Sequence, residues 1–204
     1  MKIAVLGATG ATGKLFTALA LESGHEITAL VRSASKLTDK PNLRVIIGDA
    51  TDEKAVLNVI EGADAVVSCL GHVAGDKPMM SIAFNNIISA AEKQATPPQC
   101  VLMTTIGVGG TSLHVKIVLS TLVAGCKVIA DYEAADALVR RCRVPYVLVR
   151  PGHLTNGPSI DKYKTSLKGF YHIAMKISRA DVAKFLLRAA SSQDFQNKAV
   201  QIHA

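Results

Sequence analysis

At 204 residues the chain is long enough for one α/β domain with a substantial core, and no repeat, low-complexity tract or linker divides it, so residues 1–204 read as a single domain. Aromatic residues make up only 4% and Trp is absent, while aliphatic residues are plentiful, the balance of a parallel sheet covered by helices on both faces. The net charge of +7 raises nucleic acid as a partner, yet the basic residues are spread out, and the densest group, Arg140, Arg141 and Arg143, falls where a helix pattern ends and cations suit its dipole. Nucleic acid is therefore not an expected partner; an anionic cofactor is.

The chain opens with an apolar run, Ile3 to Leu6, that reads as a short buried strand. Gly7, Gly10 and Gly13 follow, and then Leu15 to Leu21, which reads as a helix. Glycines between a strand and a helix let the backbone turn tightly, approach a ligand and pack the helix close, and the free amides at the helix start suit a pyrophosphate. A Walker loop is excluded, because it requires glycine and a hydroxyl residue where Ala8 and Leu15 stand. The GxxGxxG spacing suggests the looser phosphate loop of short-chain and extended dehydrogenases.

Glu26 to Val31 reads as the second strand and ends at Arg32, with Ser33, Ser35 and Lys36 close by. An acid at this place would accept the ribose hydroxyls of NAD. A guanidinium instead pairs with a 2′-phosphate, so the expected cofactor is NADP(H). Leu43 to Ile47 reads as the third strand. Asp49 after it has two readings, a cofactor contact or a turn and cap role, and Asp52 caps a helix over Glu53 to Ile60.

The fourth strand spans Ala63 to Leu70, with Gly71 allowing close backbone approach to a ribose. His72 to Met80 reads as a loop over the site, and Ser81 to Lys93 as a helix. Val101 to Ile106 reads as the fifth strand, ending in Thr104 and Thr105. Much of Val115 to Arg141 reads as helix, interrupted near Gly125. Val144 to Arg150 is the sixth strand, Tyr171 to Ile177 a seventh, Arg179 to Ala190 the last helix, and Ala199 to His203 a final edge strand. This alternation predicts a doubly wound α/β domain, with residues 151–178 forming its substrate side.

Cys69, Cys100, Cys126 and Cys142 show no CxxC spacing and read as buried free thiols in a reducing compartment. No apolar run is long enough to span a bilayer, and no signal peptide is expected, because the first strand begins at once. The expectation is a cytoplasmic protein without a membrane or metal site.

The segments GATGATG from Gly7, LVR ending at Arg32, GDATD from Gly48, CLG from Cys69 and RPGHLT from Arg150 together resemble the atypical short-chain dehydrogenases with an NAD(P)H-binding domain. Within them the chain is similar to the biliverdin reductase B and flavin reductase branch, and more loosely to NmrA-like proteins. The resemblance implies a Rossmann fold with strand order 3-2-1-4-5-6-7, and hydride transfer from NADPH to a flavin, a tetrapyrrole, a quinone or another small acceptor. It implies a phosphate loop at Gly7, Thr9, Gly10, Ala11, Thr12 and Gly13, a 2′-phosphate contact at Arg32, and adenine contacts at Asp49 and Ala50. Cys69, Leu70 and Gly71 would border the riboses. Thr105 would lie beside the nicotinamide, with Thr104 as a neighbouring cofactor contact. His153 would line the acceptor pocket, and Pro151 and Leu154 would meet the carboxamide.

One departure bears on chemistry. Classical short-chain dehydrogenases carry YxxxK; here the segment is Val123 to Lys127, with the lysine but not the tyrosine. A new alkoxide needs a proton that valine cannot give, whereas a flavin collects its second proton from water, so flavin-type or quinone-type acceptors are favoured over ketones. Lys127 is a ribose ligand or an exposed helix cation, and His153 a proton source or a structural residue. The competing function is an NmrA-like NADP sensor without catalysis. Monomer and homodimer both remain open.

Overall fold

The apolar run at the start becomes strand β1 (Lys2–Leu6) in the computed structural model of the protein, which describes residues 1–33, 37, 40–71, 79–109, 126–167 and 175–204. After it come α1 (Ala11–Glu22), β2 (Glu26–Val31), β3 (Leu43–Ile47), α2 (Glu53–Ile60), β4 (Ala65–Ser68), α3 (Met80–Glu92) and β5 (Gln99–Met103). The second half holds α4 (Cys126–Val139), β6 (Tyr146–Pro151), β7 (His153–Thr155), β8 (Lys164–Ser166), β9 (Lys176–Ser178), α5 (Arg179–Ser191) and β10 (Lys198–His203).

Eight strands form one sheet in the order β3-β2-β1-β4-β5-β6-β10-β8. Every neighbouring pair is parallel except β10 with β8. Side chains alternate across it with period two, and both faces are apolar. Ala4, Leu6, Val66, Leu102 and Leu148 pack under α2, α3 and α4, around Phe84 and Ile87. Ile3, Val5, Val67, Val101 and Val147 pack under α1 and α5, around Phe16 and Phe185. Phe16, Phe84 and Phe185 are completely buried, and truncating any one to Ala costs about 3–5 kcal/mol. This is a Rossmann-like, doubly wound domain.

The expected order holds from β3 through β6. The seventh place is taken by β10, however, not by the strand expected over residues 171–177. Of that segment the described part, β9, pairs with β7 in a separate parallel ribbon. Nor is β10 an edge strand, because β8 lies outside it. The reason is composition: Val200 and Ile202 of β10 are fully buried and need cover, whereas Lys164-Thr165-Ser166 of β8 is polar and suits an edge. The loop expected over 72–78, the helix expected over 115–125 and residues 171–174 lie outside the described residues.

Helix starts follow local chemistry. Asp52 caps α2, accepting from the Lys54 amide at 2.9 Å. Ser178 caps α5, accepting from the Asp181 amide at 3.0 Å while its hydroxyl donates to the Asp181 carboxylate at 2.8 Å. By contrast, α1 begins at Gly10 without a side-chain cap and without an acid in its first turn.

Candidate functional site

The order of the sheet reverses at β1, which has β2 on one side and β4 on the other. Open α/β sheets bind ligands in the crevice outside the carboxyl ends of the strands at such a point. Here that crevice is a cleft of about 290 Å³. Gly7, Thr9 and Gly10 line it after β1, Arg32 after β2, Asp49 and Ala50 after β3, and Cys69, Leu70 and Gly71 after β4. Met79, just before α3, completes the wall. The structure thus brings nine of the expected cofactor residues together at one cleft.

The three glycines do different work. Gly7 has φ +83°, and a Cβ on it would lie 2.8 Å from the Cys69 carbonyl carbon, so the chains leaving β1 and β4 touch only because it is bare. A Cβ on Gly13 would lie 2.0 Å from the Gly7 carbonyl oxygen, which binds α1 onto the turn. Gly10 is exposed, and the nearest atom to its Cβ position is 3.3 Å away. A Cβ there would press on the Gly7 carbonyl far less than one on Gly13 would, and it would stand at the wall of the cleft. Ala11 and the buried Thr12 open α1, whose uncapped amides carry its positive end.

Arg32 is exposed at the end of β2, and its charge reaches Asp49. The Asp49 carboxylate accepts from the Thr51 amide at 2.9 Å and the Thr51 hydroxyl at 2.7 Å. These bonds, with Arg32 adding to them against a small burial cost, hold its carboxyl below the usual carboxylate value. Asp49 makes the turn bonds of its first oxygen while lining the cleft, so the turn and the cofactor-contact readings are compatible. Ser35 and Lys36 lie outside the described residues. Cys69 is buried, and burial pushes its thiol up to about 12, so this wall of the cleft is uncharged.

A cradle closed to any Cβ, an uncapped helix start and a guanidinium at the end of β2 fit a dinucleotide diphosphate. The remaining expected residues lie apart from this cleft. Thr104 is buried and its hydroxyl turns to the Val149 carbonyl of β6 at 3.4 Å, so it braces the sheet. Thr105 is half-buried just past β5. Pro151 is buried at the end of β6, and His153 is exposed, its amide bonded to the Met175 carbonyl at 2.8 Å. Leu154 packs against the core under α1 and α5. Lys127 is exposed on α4, one turn before Asp131. Val123 lies outside the described residues.

Two residues near the cleft escaped the sequence reading. Asn86, buried on α3, donates to the Ala50 carbonyl at 3.1 Å and so fixes the loop after β3. Asp131 on α4 accepts from the amides of Met79, Met80 and Ser81 at 2.8–3.0 Å and from the Ser81 hydroxyl at 2.5 Å, capping α3 from across the molecule. Burial pushes its carboxyl up, but those four donors outweigh burial and hold it below the ordinary value. A lone Asn on an otherwise apolar helix face was the one available signal for Asn86.

A larger open depression, about 570 Å³, lies at the opposite edge of the sheet. Lys2, Lys40, Arg44, Glu26 and Glu61 line it, far from the glycine turn, so the smaller cleft is the candidate site.

Fold and cleft together define a Rossmann-type α/β domain with a glycine-lined crevice at the point where its strand order reverses. A family described as NAD(P)H-binding matches residues 7–193, and the chain belongs to it. An uncharacterized chloroplastic protein of Arabidopsis thaliana is 28% identical over 100% of this chain and 76% of its own length. Phenylcoumaran benzylic ether reductase 1 of the same plant is 35% identical over 35% of this chain and 26% of its own length, so the chain spans about a quarter of that relative. Among solved structures, ChuY, an anaerobillin reductase from Escherichia coli O157:H7, superposes with a TM-score of 0.83 at 22% identity, covering 100% of this chain and 97% of that one. Among the described residues no helix is long and apolar enough to cross a membrane.

Proposed function

We propose that the protein is an NADPH-dependent reductase that passes hydride to a flavin, tetrapyrrole, quinone or similar small acceptor. The observation that carries this reading is Arg32: a cation ends β2 at the rim of the cleft, where an acid would select the unphosphorylated cofactor. Gly7, Gly10 and the first amides of α1 would hold the diphosphate, Arg32 the 2′-phosphate, and the Asp49–Ala50 loop, fixed by Asn86, the adenine. When bound, the nicotinamide supplies the hydride.

The chain's own contribution is orientation. Thr105 and His153 follow β5 and β6 at the same carboxyl edge of the sheet as the cleft, the edge on which an acceptor meets the cofactor. The Cys69 thiol, kept neutral by burial, adds no charge to its side of the cleft. With Val123 in place of the YxxxK tyrosine, an acceptor that draws its proton from water is favoured. Free thiols at Cys69, Cys100 and Cys142 accord with residence in a reducing compartment, the cytoplasm in this reading.

Calorimetry with NADPH and NADH on the wild type and on Arg32→Glu tests the cofactor assignment. The wild type should prefer NADPH at least about tenfold, and the variant should lose that preference. Equal affinity in the wild type sinks the assignment. Following nicotinamide absorbance with FMN, biliverdin and dichlorophenolindophenol tests the reaction. Binding without oxidation of NADPH by any of them favours the NADP-sensing alternative, which the missing tyrosine supports.

A further inference from the structure

Behind the cleft, the turn that follows β5 is held from both sides. It runs from Thr105 through Ile106, Gly107 and Val108 to Gly109, with Gly107 at φ +91° and Gly109 at φ +62°. Val108 is completely buried in the core beneath α4. One residue later the backbone of Gly109 is gripped twice. Its amide donates to Glu133 Oε1 at 3.2 Å, and its carbonyl accepts from Arg150 Nη1 at 3.2 Å.

Arg150 is itself fixed. It stands on β6, 6% exposed, and its Nη2 donates to Asp136 Oδ1 on α4 at 2.5 Å. Its Nε is buried without a hydrogen-bond partner, and among the described residues Asp136 and Gly109 hold the guanidinium. Asp136 is 1% exposed, and its other oxygen accepts from Arg140 Nε at 2.7 Å. The fit is tight enough that a Cβ on Gly109 would lie 1.9 Å from Arg150 Nη2. A buried ion pair of this kind contributes little net stability against an apolar replacement, because desolvation offsets its attraction. What it gives here is direction: Glu133 and Arg150, from two elements, hold the two backbone polar groups of one residue, with Asp136 orienting Arg150, four residues past Thr105.

We propose that Arg150, Asp136 and Glu133 are positioning residues that fix the turn after β5, and with it Thr105, for the acceptor-side chemistry. The proposal rests on the reductase reading for its kinetic consequence, and on the geometry alone for the rigidity of the turn. Among the described residues the clamp's hydrogen bonds run to Gly109 and between its own side chains, and none of its residues lines the cofactor cleft, so it should act on turnover and leave cofactor affinity alone.

The test uses a double variant, Arg150→Met with Asp136→Leu, which removes both buried charges at once and so avoids leaving either unpaired. A second variant, Glu133→Gln, weakens only the grip on the Gly109 amide. Arg140→Ala is the control, because Arg140 touches Asp136 but not the turn. In the double variant kcat for NADPH oxidation with the best acceptor should fall several-fold, up to the roughly tenfold loss expected from removing Thr105 itself, with NADPH Kd unchanged. Glu133→Gln should show a smaller loss of the same kind, and Arg140→Ala wild-type kinetics. Hydrogen exchange at residues 105–109 should quicken at least about tenfold in the double variant. A folded double variant with wild-type kcat overturns the proposal, as does a parallel rise in NADPH Kd. If the wild type oxidises NADPH with no acceptor, the reductase reading fails by itself. Exchange then decides the clamp, and unchanged protection at 105–109 overturns it.

Discussion

The two halves of the sheet are built by different means. From β1 to β4 the carboxyl edge is shaped largely by backbone, a turn that admits no Cβ at Gly7 or Gly13 and an uncapped helix start, with the Asn86 side chain holding the loop after β3. From β5 onward the edge is shaped by buried carboxylates that reach across the fold. Asp131 caps α3, Asp136 orients Arg150, and Asp181 accepts from the Ser159 hydroxyl at 2.6 Å and the Ile160 and Asp161 amides, holding the loop after β7 onto α5. Backbone determination would suit a half that holds a cofactor; side-chain tethers can be exchanged without recasting the sheet, which would suit the half assigned above to the proposed acceptor.

The sharpest way to break that contrast is at the glycines. Gly13→Ala should destabilise the fold by more than about 3 kcal/mol, because its Cβ must displace the Gly7 carbonyl from 2.0 Å. Gly10→Ala should leave denaturant midpoints nearly unchanged and instead weaken NADPH binding at least about tenfold. Urea unfolding and calorimetry on the pair separate packing from ligand approach; equal destabilisation by both substitutions contradicts the division.

On the other half the largest effect should come from Asp131→Ala, about 2–4 kcal/mol, since three amides and a hydroxyl at the start of α3 lose their acceptor. The same residue governs acid stability. Its folded pKa lies below the unfolded one, so its contribution is whole above about pH 4 and fades as pH falls through the lower folded value. Asp181 acts in the same direction: burial raises its carboxyl, and the Ser159 and Ser178 hydroxyls with two amides more than reverse that. Stability of the wild type should therefore decline below pH 4 more steeply than that of Asp131→Asn, measured by thermal unfolding at stepped pH; parallel profiles refute the assignment. The smallest effect is expected at the acceptor edge. Thr105→Ala and His153→Ala should each lower kcat about tenfold or less without abolishing turnover, because orientation rather than a single proton donor carries the rate. Complete loss in either would give that residue an essential role.

The same division explains what could be read in advance. Glu26–Val31, Leu43–Ile47 and Glu53–Ile60 are found with the bounds expected, and Asp52 is the cap of α2, because apolar alternation and a cap are local signals. The glycine turn was legible for the same reason, since its chemistry lies in seven consecutive residues. The acceptor half was not. Asp131 and Met79 are 52 residues apart, and no periodicity announces that one will cap the helix beginning beside the other. Thr104, a cofactor contact in what the resemblance implies, turns its hydroxyl to the carbonyl of Val149, a partner 45 residues away that no local pattern announces. The seventh place in the sheet went to β10 because burial on both faces outweighed order along the chain.

The far margin of the sheet has a consequence for how such molecules behave together. β8 contributes only Lys164, Thr165 and Ser166, runs against its neighbour, and has Lys164 exposed opposite His203. A like strand from another molecule would find three residues to zip onto and a cation to repel its own. Crowded solutions of this protein are thus guarded, at that border, against growing ribbons by edge-to-edge addition.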